Sequence, residues 1–328
     1  MQIGLVYDLK EDYGIDVEDI TYSDFCNLVE IQHIQQTLQN LGHRVIMIGS
    51  PKEFALGVQK GLFSSIELIM NFSEGFRSRN RESLVPALCE LYQIPYAFSD
   101  CYAMALTLHK HQTLLFAESL GVEIPKGFLF SPLIHTQEDI SRLVVDHGLS
   151  FPLIIKPNRE GTSMGLALAH NMKELIAGIR NVVSTYCQEV RCDEFIPGNE
   201  IAVPIIGSGK NAQVLGIVEY QKLDGDPIEC FTTNAKKKGN HKTIYQTFGE
   251  ATDKIISESA LLVHNSIPCY DISRMDMKLY KGMPYLLEVT PLPGMNPGST
   301  FELCARQHGL SAEDLYARMI DSALERYR

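Results

Sequence analysis

Asp271-Ile272-Ser273-Arg274-Met275-Asp276-Met277-Lys278-Leu279-Tyr280-Lys281-Gly282-Met283-Pro284-Tyr285-Leu286-Leu287-Glu288-Val289-Thr290 reads as two strands joined by a tight turn. Charged and apolar residues alternate strictly in the first strand, so Arg274, Asp276 and Lys278 share one face. In the second, Glu288 and Thr290 share a face with Leu286. A loop over residues 281–283 sets Asp276 opposite Glu288 and Arg274 opposite Thr290. Two carboxylates at cross-strand distance repel unless a divalent cation lies between them. Oxygen-only donors suit Mg²⁺, which takes one or two carboxylates together with substrate phosphates. The solvated face of an edge hairpin would carry the same alternation. What favours a site is the sequel, Pro291-Leu292-Pro293-Gly294-Met295-Asn296-Pro297-Gly298-Ser299, which abandons regular structure directly after the second strand. Loops in that position offer free backbone N–H groups to a ligand.

Working outward, strands alternate with helices toward the N-terminus. Strands are expected at 2–7, 44–48 and 66–72, and a helix over 28–41 follows from Leu28, Ile31, Ile34, Leu38 and Leu41 with Gly42 as its cap. Such alternation favours a parallel sheet with helical crossovers. A second unit begins near Met104 with a helix running to Gly121. It continues with a strand at 127–130, a helix at 136–147, a strand at 153–156, a Gly-containing loop at 158–165 and a helix at 171–184. Beyond residue 190 strands dominate, at 200–206, 212–218 and 227–231, before a helix at 251–266, the hairpin and a last helix at 311–326. The 328 residues therefore divide best into three units.

Composition sets the outer limits. Forty acidic against 29 basic side chains give a formal charge of −11, which argues against a nucleic-acid or anionic-membrane partner. No apolar run approaches the roughly 20 residues that span a bilayer. The eight cysteines lack metal-knuckle or redox spacing and read as reduced thiols of a cytoplasmic protein.

Three further segments carry candidate chemistry. Asn158-Arg159-Glu160-Gly161-Thr162-Ser163-Met164-Gly165 follows the apolar strand ending in Lys156. It is neither a Walker loop nor a dinucleotide fingerprint, yet its amides and hydroxyls could close over phosphates, with Lys156 as a point charge beside them. A plain turn with a snorkelling lysine is the alternative. Lys236-Lys237-Lys238 forms a basic cluster that could equally be a solvated loop. In Asp193-Glu194-Phe195-Ile196-Pro197-Gly198-Asn199-Glu200 the apolar pair could line an adenine slot while Glu200 accepts ribose hydroxyls, or the segment could be a tight acidic turn.

In order, Lys110, the I-I-K-P strand, R-E-G-T-S-M-G, D-E-F-I-P-G-N-E, the A-K loop, R-M-D and Y-L-L-E…P-G-M resemble the ATP-grasp ligases, and more narrowly the D-alanine–D-alanine ligase family, over about 104–310. The resemblance implies a mixed α/β and α+β architecture of three domains. An N-terminal parallel-sheet domain (1–103) would precede a central domain with the lid loop (104–189) and a C-terminal catalytic domain (190–328), the last two clasping ATP. It implies that Lys110 and Lys156 contact the α- and β-phosphates, that Thr162 and Ser163 sit in the lid over the triphosphate, and that Lys236 touches the γ-phosphate. Glu194 and Ile196 would meet adenine through their backbones and Glu200 the ribose. Asp276, Glu288 and Thr290 would hold Mg²⁺, or Mn²⁺ in its place. Arg274 and the Gly294 amide, with Ser163, would form the catalytic group, and Ser299 would hold the acceptor carboxylate. The implied reaction joins two small amino-acid-like substrates through an acyl phosphate in a homodimeric enzyme.

Departures are concentrated on the first-substrate side. Thr290 stands where the family has Asn, and Lys237 where it has Tyr. The Gly/Ser-rich turn after the first strand is replaced by Asp8-Leu9-Lys10-Glu11-Asp12-Tyr13, and the His-Gly segment after the third strand by Asn71 to Glu82. These changes point to a different first substrate, recognised by Glu74 and by a carboxylate-pairing arginine, Arg77, Arg79 or Arg81. Surface ion pairing would be the ordinary fate of those arginines. A D-alanine–D-alanine ligase with an altered N-terminal site, and a nucleotide-binding homologue without catalysis, are the alternatives.

Overall fold

The computed structural model describes residues 1–16, 19, 22–226, 228 and 240–328. Among them the strands form three sheets. The first contains β1 (Gln2–Tyr7) between β2 (Arg44–Gly49) and β3 (Leu68–Phe72), all parallel, with Ile3 aligned to Val45 and Leu68. Helices α1 (Leu28–Asn40) and α2 (Pro51–Gln59) make the crossovers, and α3 (Leu84–Tyr92) follows β3. Burial of β1 on both faces accounts for its unbroken apolar core of Ile3, Leu5 and Val6. Asn27 caps α1 by accepting from the Glu30 amide, and Ser50 forms a capping box with Glu53 ahead of Pro51.

The expected helix from Met104 to Gly121 is instead two. Helix α4 (Cys101–Leu108) ends at His109, whose ψ of 86° leaves the helical region, and α5 (Lys110–Ser119) starts afresh. The amides at the new N-terminus find partners outside: Lys110 N–H donates to the Asn158 carbonyl (3.0 Å) and His111 N–H to Asn158 Oδ1 (2.9 Å). Alternation alone carries no trace of this break, because both halves are apolar on the inner side.

The second sheet runs β4 (Gly127–Phe130), β7 (Val190–Glu194), β5 (Leu153–Pro157), β6 (Ala167–Ala169), antiparallel throughout, with α6 (Asp139–Asp146) and α7 (Met172–Tyr186) beside it. Because β7 pairs with both β4 and β5, the second sheet extends five residues past the boundary expected at 189. At its other end the expected boundary also shifts. Ala103, Leu114, Ala117, Val122 and Ile124 pack with Ile201, Met275 and Leu286 of the third sheet, not with the second.

The third sheet has the order β11 (Lys242–Tyr245), β10 (Val218–Gln221), β8 (Asn199–Ile206), β12 (Ile272–Tyr280), β13 (Met283–Thr290), with β9 (Gln213–Val214) on β8. The strand expected at 212–218 is divided at Gly216, whose φ of +152° and close approach to the Tyr245 ring suit only glycine. The strand expected at 227–231 lies outside the described residues apart from Ile228. One face of this sheet shares a core with the first: Ile3, Leu38 and Phe72 pack with Val218, Ile272, Phe301 and Tyr316. The other face carries α5 and the helix Glu250–Ser266. No helix among the described residues is long and apolar enough to cross a membrane.

The hairpin itself corrects one detail and keeps the register. The turn is Lys281-Gly282, both at positive φ as a two-residue hairpin turn requires. That would offset the strands by one residue, but a bulge between Asp276 and Met277 passes over Leu287 and restores the pairs Asp276–Glu288 and Arg274–Thr290.

His264, fully buried under this sheet, gives the fold an acid limit. The Gly207 carbonyl can only accept, so Nε2 carries the proton (3.2 Å) and Nδ1 accepts from Ser273 Oγ (2.7 Å). Burial holds its pKa down to about 4. The unfolded chain therefore binds the extra proton first, and stability present above pH 6.5 is lost as pH falls toward 4, by on the order of 3 kcal/mol. Thermal melts between pH 7 and 4 should show this loss, and His264→Gln should flatten it.

Candidate active site

Four elements of different origin deliver charged side chains to one cleft. The N-terminus of α5 supplies Lys110, β5 supplies Lys156, the loop after β5 supplies Glu160, Thr162 and Ser163, and the β12–β13 hairpin supplies Asp276, Lys278 and Glu288. A narrow slot of about 100 Å³ lies between the second and third sheets, lined by Lys156, Met164, Glu194, Phe195, Ile196, Glu200 and Leu287 among others. A larger cavity of about 410 Å³ continues from it toward the first sheet, past Arg274, Thr290, Gly294 and Asn296. Lys110, Glu160, Glu200, Asp276 and Glu288 line both.

Each carboxylate of the hairpin already holds a cation of the chain. Arg274 donates to Asp276 through Nε (2.7 Å) and Nη2 (2.8 Å), and Lys110 Nζ lies 2.6 Å from Glu288 Oε1. The same Nζ donates to the Glu160 carbonyl at 2.5 Å, so one ammonium ties α5, the hairpin and the lid loop together. Asp276, Glu288 and Thr290 are hard oxygen donors clustered on one edge of the cleft, which suits a divalent cation that also takes phosphate oxygens. Among the described residues no three His, Cys, Asp or Glu side chains are placed to hold a metal ion by themselves, so a metal here depends on ligand oxygens as well.

On the nucleotide side, Lys156 pairs with Asp193 at 2.9 Å. Asp193 is in turn bound by Arg191, the largest fully buried side chain, which also donates to the Pro125 carbonyl and meets His111. These two cations hold the Asp193 carboxyl below its usual range despite burial. Glu200 pairs with Lys278 (3.1 Å), whose Nζ also donates to the carbonyls of Ile228 (2.8 Å) and Gly198 (3.3 Å). The Glu194 amide donates to the Lys126 carbonyl. In the lid loop Thr162 and Ser163 adopt φ of +48° and +60°, and Thr162 Oγ1 is buried with no partner, an unmet donor over the cleft.

The remaining expected residues divide. Gly294 lines the cavity, and its loop is held by Glu30, which accepts from the Met295 amide at 2.7 Å. Ser299 instead caps the helix Thr300–Gln307, accepting from the Glu302 amide, and does not line the cavity. Glu74 lines it. Arg77 does not: it is exposed, with its guanidinium 4.8 Å from the Phe76 ring centre. Arg79 is exposed as well. Arg81 is buried and engaged, donating to the Arg159 carbonyl (2.7 Å) and Asp24 (3.1 Å) with Glu82 at 3.6 Å. The carboxylate clamp expected of these arginines is therefore absent from the cavity wall. Lys236 lies outside the described residues.

Sequence reasoning missed Lys278, Arg191, Glu30, Asp24 and Glu82. Lys278 was visible as the third member of the hairpin's charged face. Arg191 lies on β7, and Asp24, Glu30 and Glu82 come from a loop, a helix and a 3-10 turn; none of their local patterns marks where they point.

A parallel three-stranded sheet followed by two antiparallel units that enclose a lysine-rich slot beside paired carboxylates defines an ATP-grasp enzyme. The sequence profile described as D-ala D-ala ligase C-terminus matches residues 118–321. The chain is 30% identical over 245 residues to a D-alanine–D-alanine ligase of Nitrosospira multiformis, covering 74% of this chain and 75% of the relative. It is 26% identical over 304 residues to one of Fervidobacterium nodosum, covering 89% and 92%. The crystal structure of the D-alanine–D-alanine ligase from Bacillus anthracis complexed with ATP superposes with a TM-score of 0.77 at 20% identity, covering 99% of this chain and 98% of that one. The chain belongs to the D-alanine–D-alanine ligase family. It is an ATP-dependent ligase of that type, forming a peptide bond with release of ADP and phosphate, and it uses ATP and Mg²⁺.

Arg191 offers a direct check on how the slot is held. Arg191→Met would leave Asp193 buried with one cation fewer, at a cost of about 3–5 kcal/mol. Urea denaturation should register that loss, and ATP affinity should fall with it as Lys156 is drawn toward the unbalanced carboxylate.

Proposed function

We propose that the chain joins two amino-acid-like substrates through an acyl phosphate, and that its first substrate is not D-alanine. The observation that supports this reading is the meeting of the two cavities. The slot and the larger cavity share Lys110, Asp276 and Glu288, the groups suited to the phosphate being transferred. In the proposed order, a carboxylate oxygen of the first substrate attacks the γ-phosphorus of ATP and ADP leaves. The amine of the second substrate then adds to the acyl carbon and phosphate departs.

In this reading adenine lies against the backbones of Glu194 and Ile196, with Glu200 at the ribose. Lys110 and Lys156 hold the α- and β-phosphates under Thr162 and Ser163. Asp276, Glu288 and Thr290 would hold Mg²⁺, which when bound would supply neutralisation of charge on the phosphoryl oxygens. Arg274, which now pairs with Asp276, would join the Gly294 amide in stabilising the oxyanion, worth about 3–4 kcal/mol per donor. The lid loop excludes water that would hydrolyse the acyl phosphate. Ser299 would reach an acceptor carboxylate only by giving up its helix cap. The three units, with boundaries near 125 and 195, a homodimeric assembly and a cytoplasmic setting complete the proposal.

Phosphate release from ATP, followed across single and paired L- and D-amino acids with mass spectrometry of the products, tests it. A mixed dipeptide or pseudo-dipeptide is the expected product. D-alanyl-D-alanine formed as efficiently as any other product would return the chain to the ordinary reaction of its relatives. Chelation of Mg²⁺ or Glu288→Ala should lower turnover at least ~100-fold; unchanged turnover would remove Glu288 from the metal site.

A further inference from the structure

Among the described residues, eight carboxylate side chains line the larger cavity against two strongly basic ones, Lys110 and Arg274. Asp24, Glu74 and Glu82 line it from the N-terminal unit, and Glu160 of the lid joins them. Among the described residues, Arg81 and Lys110 are the cations that act on these carboxylates, and Lys110 is shared with Glu288.

Asp24 marks where a ligand donor is wanted. Its Oδ2 accepts from Arg81, but Oδ1 is buried with no hydrogen-bond partner among the described residues, in a side chain that is 7% exposed and lines the cavity. A buried carboxylate oxygen without a donor is an unmet demand in an otherwise satisfied site. Loss of water raises Glu74 and Glu82 above the ordinary carboxylate range, with Glu82 and Asp24 adding to the rise at Glu74 and Asp24 and Glu288 to the rise at Glu82, so an incoming cation relieves both. Arg81 cannot turn to meet a substrate carboxylate without abandoning Asp24 and the Arg159 carbonyl. The wall is thus built to receive positive charge.

We propose that the first substrate is a basic amino acid whose α-ammonium and second, side-chain ammonium are received by Asp24, Glu74 and Glu82 while its carboxylate faces Lys110 and the hairpin. Because Lys110 is shared with Glu288, a second ammonium on the substrate offsets more of the wall's negative charge than the α-ammonium alone. This inference rests on the reading of the cavity as the first-substrate site and narrows the class of that substrate.

The test compares charge at constant length. Calorimetric titration of the protein with Mg²⁺ and a non-hydrolysable ATP analogue would use both enantiomers of lysine and ornithine, with norleucine and Nε-acetyl-lysine as uncharged-side-chain controls. The expected result is at least ~10-fold tighter binding of a diamino acid than of its control. Glu74→Gln or Asp24→Asn should erase most of that difference, with the melting temperature recorded to confirm folding; the comparison on the unaltered chain stands without them. Equal binding of lysine and norleucine, or no binding of any diamino acid, overturns the inference. Phosphate release on the same panel separates it from the ligase reading beneath. Turnover with monoamino acids and no preference for a second ammonium sinks the inference alone. Tight diamino-acid binding with no turnover in any pair sinks the two-substrate reading and keeps the inference.

Discussion

The position of a single ammonium organises the cleft. Lys110 Nζ touches Glu288 and the Glu160 carbonyl, while its own backbone N–H is held by the Asn158 carbonyl. The residue can do this only because the helix is broken at His109, which turns the N-terminus of α5 and its first side chain toward the lid loop. An uninterrupted helix would spend that amide on its own preceding turn. With one lysine fixed at both ends, the hairpin, the lid and α5 share a point of reference.

The hairpin site is electrically balanced before any ligand arrives. Asp276 is neutralised by Arg274 and Glu288 by Lys110, so the repulsion expected of two facing carboxylates is quenched by the chain's own cations. The groups that quench it are also suited to phosphate and oxyanion. A divalent ion at the carboxylates would release both cations together, which links metal binding to the arming of the site rather than to its assembly.

Much of this was readable from residue order, for identifiable reasons. Strand period two carried the shared face of Arg274, Asp276 and Lys278, and the cross-strand pairing followed, even though the turn is one residue shorter than expected and the bulge makes up the difference. Lys110 and Lys156 were found because the ordered set of motifs marks them. Arg77 and Arg81 show the opposite case. A run of arginines near a glutamate reads as a clamp, but one lies over Phe76 and the other is consumed by Asp24 and the lid. Asp24, Glu30 and Glu82 come from a loop, a helix and a single 3-10 turn, and no periodicity relates them; only tertiary packing brings them to one wall.

The distribution of apolar cores has a mechanical meaning. The first and third sheets share one core through Ile3, Phe72, Ile272 and Tyr316, whereas the second sheet closes its own around Phe128, Ile155, Ile179 and Val190. The acidic wall and the carboxylate hairpin are therefore parts of one rigid frame. The second sheet meets that frame through polar ties, among them Arg81 to the Arg159 carbonyl, Lys110 to the Asn158 and Glu160 carbonyls, and Arg191 to His111 and the Pro125 carbonyl. Parting those ties exchanges hydrogen bonds for water and leaves every apolar core intact. The unit bearing the lid is thus the jaw that can swing at low cost, and the substrate wall is the anvil.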